Sequence, residues 1–288
     1  MTRSNICRLG LLFAIAIVVL ASNASFAATT IERIRDRHAI VFAYRDGAAP
    51  FSFKDRAGNV HGYSVELCTR IAADVQRTLK LPQLDVQWIA VDADSRIDAV
   101  ATGRADAECG TTTITLSRME RVDFSVPIFV DGATLAVRAK SPVQRVADLK
   151  GRRVAVIVGT TTERALRAAL DVAGATATII PVGKPEEGAA AVHDGRADAF
   201  AGDRIVITQL LSRFDENSLA ILPDDFSFEP YGIVVRRDDA EFRLAVNRAL
   251  VGIYKRGDID AIFQRWLAPL GKPSALLNAM FYLNSLPE

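Results

Sequence analysis

A short segment of this sequence occurs twice, and the repeat restricts the folds that the chain can adopt. The segment GRADAECG begins at Gly103, and the segment GRADAFAG begins at Gly195, 92 residues later, with six of eight positions identical. Each copy follows an alanine-rich run typical of a helix and leads into an apolar stretch that predicts a strand. Such self-similarity indicates two lobes built from similar βα units, with the ends of equivalent strands bordering one cleft.

The residues after the first copy contain a candidate binding segment. The run from Glu108 to Phe124 reads ECGTTTITLSRMERVDF, in which three threonines follow a glycine and Arg118 comes shortly afterwards. Backbone N–H groups and hydroxyls beside a planar guanidinium are suited to bidentate binding of one carboxylate. The alternative is a solvated loop with a surface arginine. The pattern favours binding over bond breaking.

A second hydroxyl cluster follows a predicted strand in the other half of the chain. Within GTTTE, Thr160 and Glu163 have the spacing of a capping box. A helix that begins there directs N–H groups and its positive dipole end at an anion, although a well-capped helix explains the pattern as well. Asp203 ends the strand of the second repeat, where it either caps the next helix or pairs with a ligand ammonium.

The N terminus has the features of an export signal. Two arginines precede an apolar run over residues 9–21, which is shorter than the roughly 20 residues of a membrane span. Small residues at Ser25 and Ala27 suit a signal peptidase, so we expect cleavage after about Ala27 and a periplasmic mature chain. The cleavage changes the formal net charge from +1 to −1. That balance favours neither nucleic acid nor an anionic membrane as a partner.

The mature chain keeps two cysteines and all three histidines. Cys68 lies in a helical pattern and Cys109 at the end of a strand. An exported protein permits a disulfide between them, and two buried free thiols fit the sequence equally well. His38, His61 and His193 lack metal-ligand spacing. No nucleotide-binding or nucleophile motif occurs, so we expect neither a metal nor a cofactor.

Hydrophobic periodicity predicts alternating strands and helices in both lobes. In the first lobe the predicted elements are a strand at 39–44, a hairpin turn at 55–59, a helix at 63–79, a strand at 86–89 and a helix from residue 96. In the second lobe they are strands at 153–158, 178–181 and 197–201, and helices at 162–172, 185–193 and 205–214. The chain is expected to cross over within 131–138, and the segments after Pro230 are expected to return to the first lobe.

Several spaced motifs together resemble one family. PFSF, GYSVEL, GRADAECGTTT, GTT, GRADAF and YGIVVRRDD occur in order over nearly the whole mature chain, and they resemble the family 3 periplasmic solute-binding proteins of amino-acid ABC transporters. The ECGTTT segment and the LNAMF tail are most similar to the glutamate/aspartate-binding branch. The resemblance implies an α/β, two-lobed periplasmic binding protein (type II) with two hinge-crossing strands. Residues 28–133 with 231–288 would form lobe 1, and residues 134–230 lobe 2.

The resemblance also implies the ligand contacts. Arg118 would bind the α-carboxylate of an amino acid, and Asp203 its ammonium. Arg45 and Arg96 would meet a side-chain carboxylate, which agrees with the chemistry, since two more guanidinium forks need a second anion. The supporting hydroxyls would come from Thr111, Thr113, Thr160 and Thr161.

Two departures from the branch leave the exact ligand open. Ala93 stands where the branch has a serine, and Pro185 or a neighbour stands where it has a histidine. The implied function is an importer's substrate-binding component, a monomer whose partners are an amino acid and membrane permease subunits. The alternatives are an enzyme on the same fold, such as a precursor dehydratase or a lytic transglycosylase, and a sensor module.

Overall fold

The computed structural model describes residues 28–215 and 217–287. The export signal predicted over residues 1–27 lies outside them. The described residues form two five-stranded sheets joined by a pair of short strands. This is the two-lobed α/β arrangement with two crossing strands that the sequence predicts. Within the described residues, no helix combines the length and the apolar character that a membrane crossing requires.

Strands and helices alternate along most of the chain. The strands are β1 (Ala39–Arg45), β2 (Phe53–Lys54), β3 (Val60–His61), β4 (Asp85–Val91), β5 (Ala107–Glu108), β6 (Val122–Phe124), β7 (Phe129–Asp131), β8 (Ala133–Arg138), β9 (Arg153–Ile157), β10 (Thr178–Val182), β11 (Ala199–Asp203), β12 (Leu219–Ile221), β13 (Glu229–Tyr231) and β14 (Val234–Arg236). The helices are α1 (Thr30–Arg37), α2 (Tyr63–Thr78), α3 (Arg96–Ala101), α4 (Leu116–Met119), α5 (Thr161–Val172), α6 (Pro185–His193), α7 (Arg204–Leu211), α8 (Ala240–Lys255), α9 (Asp258–Leu267) and α10 (Ala275–Leu283). The strand predicted at 197–201 lies two residues later than expected.

The first sheet has the order β4, β1, β5, β14, β6. Strand β1 is parallel to β4 and β5, so the three carboxyl ends lie at one edge. Side chains alternate between the two faces of a strand. Phe42 of β1 accordingly packs with α2 and the C-terminal helices α8, α9 and α10, and Ala43 packs with α3 on the other face. The C-terminal helices therefore pack on the first sheet.

The second sheet has the order β10, β9, β11, β8, β12. Strand β9 is parallel to β10 and β11. Its Val154 and Val156 pack against α5, whereas Ala155 packs against α6 and α7. Helix α6 approaches the sheet closely, since a Cβ built on Gly188 would lie 2.2 Å from the ring of Phe200. Both lobes thus place the carboxyl ends of parallel strands toward a common cleft.

Two antiparallel strands, β7 and β13, connect the lobes. Thr113 also forms a bridge with Tyr231 of β13, which ties the threonine cluster to this hinge. The cysteine question is settled in favour of the disulfide: Cys68 of α2 is bonded to Cys109 just after β5, with 6.3 Å between the Cα atoms. The disulfide fixes the segment that leads into the threonine cluster.

Candidate ligand-binding site

A cavity lies where the carboxyl ends of the two sheets meet. The cavity has a volume of about 20 Å³. One buried water needs about 10–15 Å³ by this measure. A larger ligand therefore enters only when the lobes part. The lining residues are Arg45, Ala48, Arg96, Thr111, Ile157, Thr160, Thr161, Thr162, Pro185, Phe200, Ala201, Asp203 and Val206.

Six of the eight residues expected from the sequence line this cavity. They are Arg45, Arg96, Thr111, Thr160, Thr161 and Asp203. Thr113 and Arg118 lie beside it: Arg118 donates to the backbone oxygen of Thr113 at 2.7 Å. Of the two positions that depart from the acidic branch, Pro185 lines the cavity and Ala93 does not.

Two arginines of the first lobe meet at Thr111. Arg45, at the end of β1, donates to the Thr111 hydroxyl at 3.4 Å, and Arg96, at the start of α3, donates to the Thr111 backbone oxygen at 3.3 Å. Their side chains are buried, with 6% and 1% exposed. Burial, and then the charge of Arg96, lowers the pKa of Arg45. The charges of Asp203 and Glu108 oppose that shift. Two like charges held together out of water favour a further anion in the cavity.

Arg118 lies on the short helix α4, whose start is capped by the side chain of Thr115. Burial is the main cause that lowers the pKa of Arg118 to about 9, and the charges of Arg96 and Arg164 add to it. Glu108 and Glu229 oppose the shift. A third cation is thus held close to the cavity wall with part of its charge compensated by protein carboxylates.

The second lobe contributes hydroxyls and a carboxylate. Thr160 caps α5 by accepting from Glu163 N at 3.1 Å, while the Glu163 carboxylate accepts from Gly159 N at 2.9 Å. The capping interpretation of this segment is therefore correct in part, and the helix start still faces the cavity. Asp203 stands at the cap position of α7 without capping it, and its Oδ1 accepts from the Thr162 hydroxyl at 3.1 Å.

Glu108 lies behind the cavity wall. Its side chain is fully buried, and neither carboxylate oxygen has a hydrogen-bond partner among the described residues. A Cβ built on Gly110 would lie 2.2 Å from Glu108 Oε1, so the turn accommodates only glycine without a shift. Burial raises the pKa of Glu108, and the nearby charges of Arg96 and Arg45 oppose that shift.

Three hinge residues, Asp131, Glu229 and Tyr231, were not anticipated from the sequence. Asp131 accepts hydrogen bonds from Ile205 N and from the Tyr231 hydroxyl, both at 3.2 Å. Burial, and then the charge of Asp203, raises the pKa of Asp131 well above its usual range. Glu229 accepts hydrogen bonds from Thr113 and Thr161. For Glu229 and Tyr231 the sequence offers the EPY segment ahead of an apolar strand, which does not reveal their partners.

Direct contacts between the lobes show that the cleft is closed. The hydroxyl oxygens of Thr113 and Thr161 lie 3.1 Å apart, and Lys184 pairs with Asp46 at 3.5 Å. Gly159 has a φ of +73°, and a Cβ built there would lie 1.9 Å from Asp94 Oδ1. Gly159 of the second lobe therefore lies against the Asp94 side chain of the first lobe.

The geometry defines a class of protein. Two α/β lobes joined by paired strands, with charged and hydroxyl groups converging in the cleft, form a type II solute-binding protein. The chain belongs to the bacterial extracellular solute-binding proteins, family 3, whose model matches residues 40–269. The family expected from the sequence motifs is therefore confirmed. Among the described residues, no cluster of His, Cys, Asp and Glu is arranged to hold a metal ion.

Individual relatives agree with this family. The chain is 33% identical over 255 residues to the L-glutamate/L-aspartate-binding protein of Pseudomonas aeruginosa, covering 86% of this chain and 82% of that protein. It is 29% identical over 266 residues to the glutamate/aspartate import solute-binding protein of Escherichia coli K12, covering 90% and 85%. A solved structure of an ancestral amino-acid-binding protein, described as a precursor of cyclohexadienyl dehydratase, is 29% identical with a TM-score of 0.73 over 83% of this chain and 99% of that one.

Proposed function

We propose that this chain is the periplasmic substrate-binding component of an ABC importer and that it binds glutamate or aspartate. The observation that carries the proposal is the pair of buried guanidinium groups, Arg45 and Arg96, which converge on Thr111 at the cavity wall. The names of the relatives from Pseudomonas aeruginosa and Escherichia coli support the same ligand class.

The proposed contacts to an acidic amino acid come from both lobes. Arg118 binds the α-carboxylate, since its guanidinium lies beside the cavity and already contacts the threonine cluster. Asp203 binds the ammonium from the opposite lobe, where it lines the cavity. Arg45 and Arg96 bind the side-chain carboxylate. The hydroxyls assigned to the ligand are those of Thr111, Thr113, Thr160 and Thr161.

Charge is the basis of the proposed preference. When the lobes close and exclude water, the cations of Arg45 and Arg96 need a compensating anion. A side-chain carboxylate supplies it, whereas an amide supplies only a dipole and leaves part of the charge unpaired. A basic ligand adds a further positive charge to the same place. The site therefore favours an acidic amino acid over its amide and over arginine.

The proposal includes the organisation and partners of the protein. Lobe 1 comprises residues 28–133 with 231–288, and lobe 2 comprises residues 134–230; the pairing of β7 with β13 supports crossings near these bounds. The mature protein, cleaved after about Ala27, acts in the periplasm as a monomer and delivers its ligand to membrane permease subunits.

We propose binding without turnover. A dehydratase needs a proton donor or acceptor that reaches its substrate. Glu108 lies behind Gly110 rather than among the lining residues. Asp203 lines the cavity, but its Oδ1 is engaged by Thr162. These positions support a binding role for Asp203 and no contact between Glu108 and the ligand.

Calorimetric titration of ligand-stripped, refolded protein with a panel of amino acids tests the proposal. The panel includes glutamate, aspartate, their amides and arginine, and each mixture is also analysed for a converted product. We expect the acidic pair to bind tightest and every ligand to be recovered unchanged. Conversion of any amino acid or its precursor would replace the binding role with an enzymatic one.

A further inference from the structure

One hinge carboxylate contacts hydroxyls from both lobes. Glu229 lies on β13 and is 2% exposed. Its Oε2 accepts hydrogen bonds from Thr113 Oγ1 of the first lobe and, at 2.8 Å, from Thr161 Oγ1 of the second lobe. Its Oε1 accepts from Ser227 Oγ at 2.9 Å, and Ser227 precedes the same strand. One oxygen of Glu229 therefore joins the lobes, and the other contacts only its neighbour in the chain.

The carboxylate of Glu229 can accept from both threonine hydroxyls at once. Each threonine hydroxyl has a single proton to donate. When both protons are directed at Glu229 Oε2, none remains for a hydrogen bond across the 3.1 Å between Thr113 Oγ1 and Thr161 Oγ1. In that arrangement the two threonines are joined through Glu229 Oε2.

We propose that Glu229 is a positioning residue that links the lobes when the cleft closes and so sets the lifetime of the closed, ligand-holding state. Thr161 begins α5 in the second lobe, while Thr113 is bridged to Tyr231 of the hinge. Opening the cleft therefore separates Thr161 from Thr113. Oε2 then loses one of its two donors.

The lost hydrogen bond is of the stronger kind. A hydrogen bond to an ionised carboxylate is about twice as strong as one between neutral groups. Glu229 is also close to the proposed α-carboxylate site, because its charge attracts Arg118 and Arg118 donates to the backbone oxygen of Thr113. The same contact thus holds the lobes together and supports the segment that carries Arg118.

The test compares Glu229→Gln with Ser227→Ala. Glutamine keeps the size of the side chain and removes its charge. Ser227→Ala removes the side-chain hydrogen bond of Glu229 that involves neither threonine, together with the bond that Ala133 N donates to the Ser227 hydroxyl. Release and association of glutamate are measured by stopped flow. We expect Glu229→Gln to release glutamate about tenfold faster with an association rate within about twofold of wild type, and Ser227→Ala to change both rates less than twofold.

A double-variant cycle separates a link between lobes from a general loss of stability. Thr161→Val also removes a proposed ligand contact, so it is expected to speed release at least as much as Glu229→Gln. Adding Glu229→Gln to Thr161→Val is then expected to speed release little further. Equal effects of Glu229→Gln and Ser227→Ala, or additive effects in the double variant, would overturn the proposal. If Glu229→Gln does not fold, Thr161→Val decides: release within twofold of wild type then refutes the link.

The kinetic part of this inference rests on the proposed function, because it uses glutamate as the ligand. A second readout does not: small-angle scattering without added amino acid measures the radius of gyration. Glu229→Gln is expected to have a larger radius than wild type, and Ser227→Ala the same radius. If wild type binds no glutamate but Glu229→Gln still has the larger radius, the proposed ligand is refuted and the link is kept. If wild type binds glutamate normally but Glu229→Gln neither expands nor releases glutamate faster, only the link is refuted.

Discussion

Replacing Arg96 with methionine is expected to weaken glutamate binding much more than glutamine binding. The Arg96 side chain is 1% exposed, and its Nε has no hydrogen-bond partner among the described residues. Its Nη1 donates a long hydrogen bond to the Thr111 backbone oxygen at 3.3 Å. Much of its hydrogen-bonding capacity is therefore available to a ligand carboxylate, and methionine keeps a side chain of similar length that fills the space without the charge.

The magnitude follows from the kind of bond that is lost. A hydrogen bond between charged groups contributes about 1.5–3 kcal/mol, so glutamate affinity should fall roughly 10- to 150-fold. Glutamine also loses a bond to the guanidinium, but this loss is offset because no cation is left unpaired, so its affinity should change less than about threefold.

Calorimetric titration of both ligands measures the two changes. Arg77→Met is the matched control, because Arg77 lies on α2 with 76% of its side chain exposed and should change neither affinity. Glutamate affinity within twofold of wild type would refute the role of Arg96. An equal loss of affinity for glutamate and glutamine would mean that Arg96 contacts the part of the ligand that both amino acids share.

Three further changes test other parts of the account. Arg118→Ala should reduce the affinity for every amino acid by more than about a hundredfold, and Arg118→Lys should restore little, because an ammonium lacks the bidentate fork. An affinity of Arg118→Ala within tenfold of wild type by titration would refute the assignment. Replacing Cys68 and Cys109 by serine opens a loop of 41 residues and should lower the free energy of unfolding by roughly 4 kcal/mol in urea titrations; unchanged unfolding would contradict it. Burial raises the pKa of Asp131 in the folded protein, so the wild type should lose stability relative to Asp131→Asn as the pH rises above the ordinary aspartate pKa of about 4. A stability difference that does not change with pH would show that Asp131 titrates normally.

The elements with a long periodic pattern could be predicted from the sequence. Helix α6 begins at Pro185 and ends at His193 as expected, because proline at its first turn and the alanine run that follows are local signals. The three-residue strand β12 was not predicted. It is too short to show a period of two, and its pairing with β8 comes from the tertiary structure.

The hinge carboxylates could not be predicted for a similar reason. Glu229 and Asp131 face each other in the pairing of β13 with β7, although they are far apart in the sequence. Their partners, such as Thr161 and Tyr231, reach them only through the meeting of the two lobes. Arg45 and Arg96 were anticipated from a family resemblance, whereas their common contact with Thr111 is a result of the fold.

The preference of the wild-type protein for glutamate over glutamine tests the central claim most directly. The two ligands have nearly the same shape and differ in charge, so the ratio of their dissociation constants isolates the effect of the arginine pair. Titration at neutral pH is expected to show glutamate or aspartate bound at least about a hundredfold more tightly than its amide, from roughly 3 kcal/mol of difference. Glutamine or arginine bound more tightly than both acidic amino acids would contradict the account.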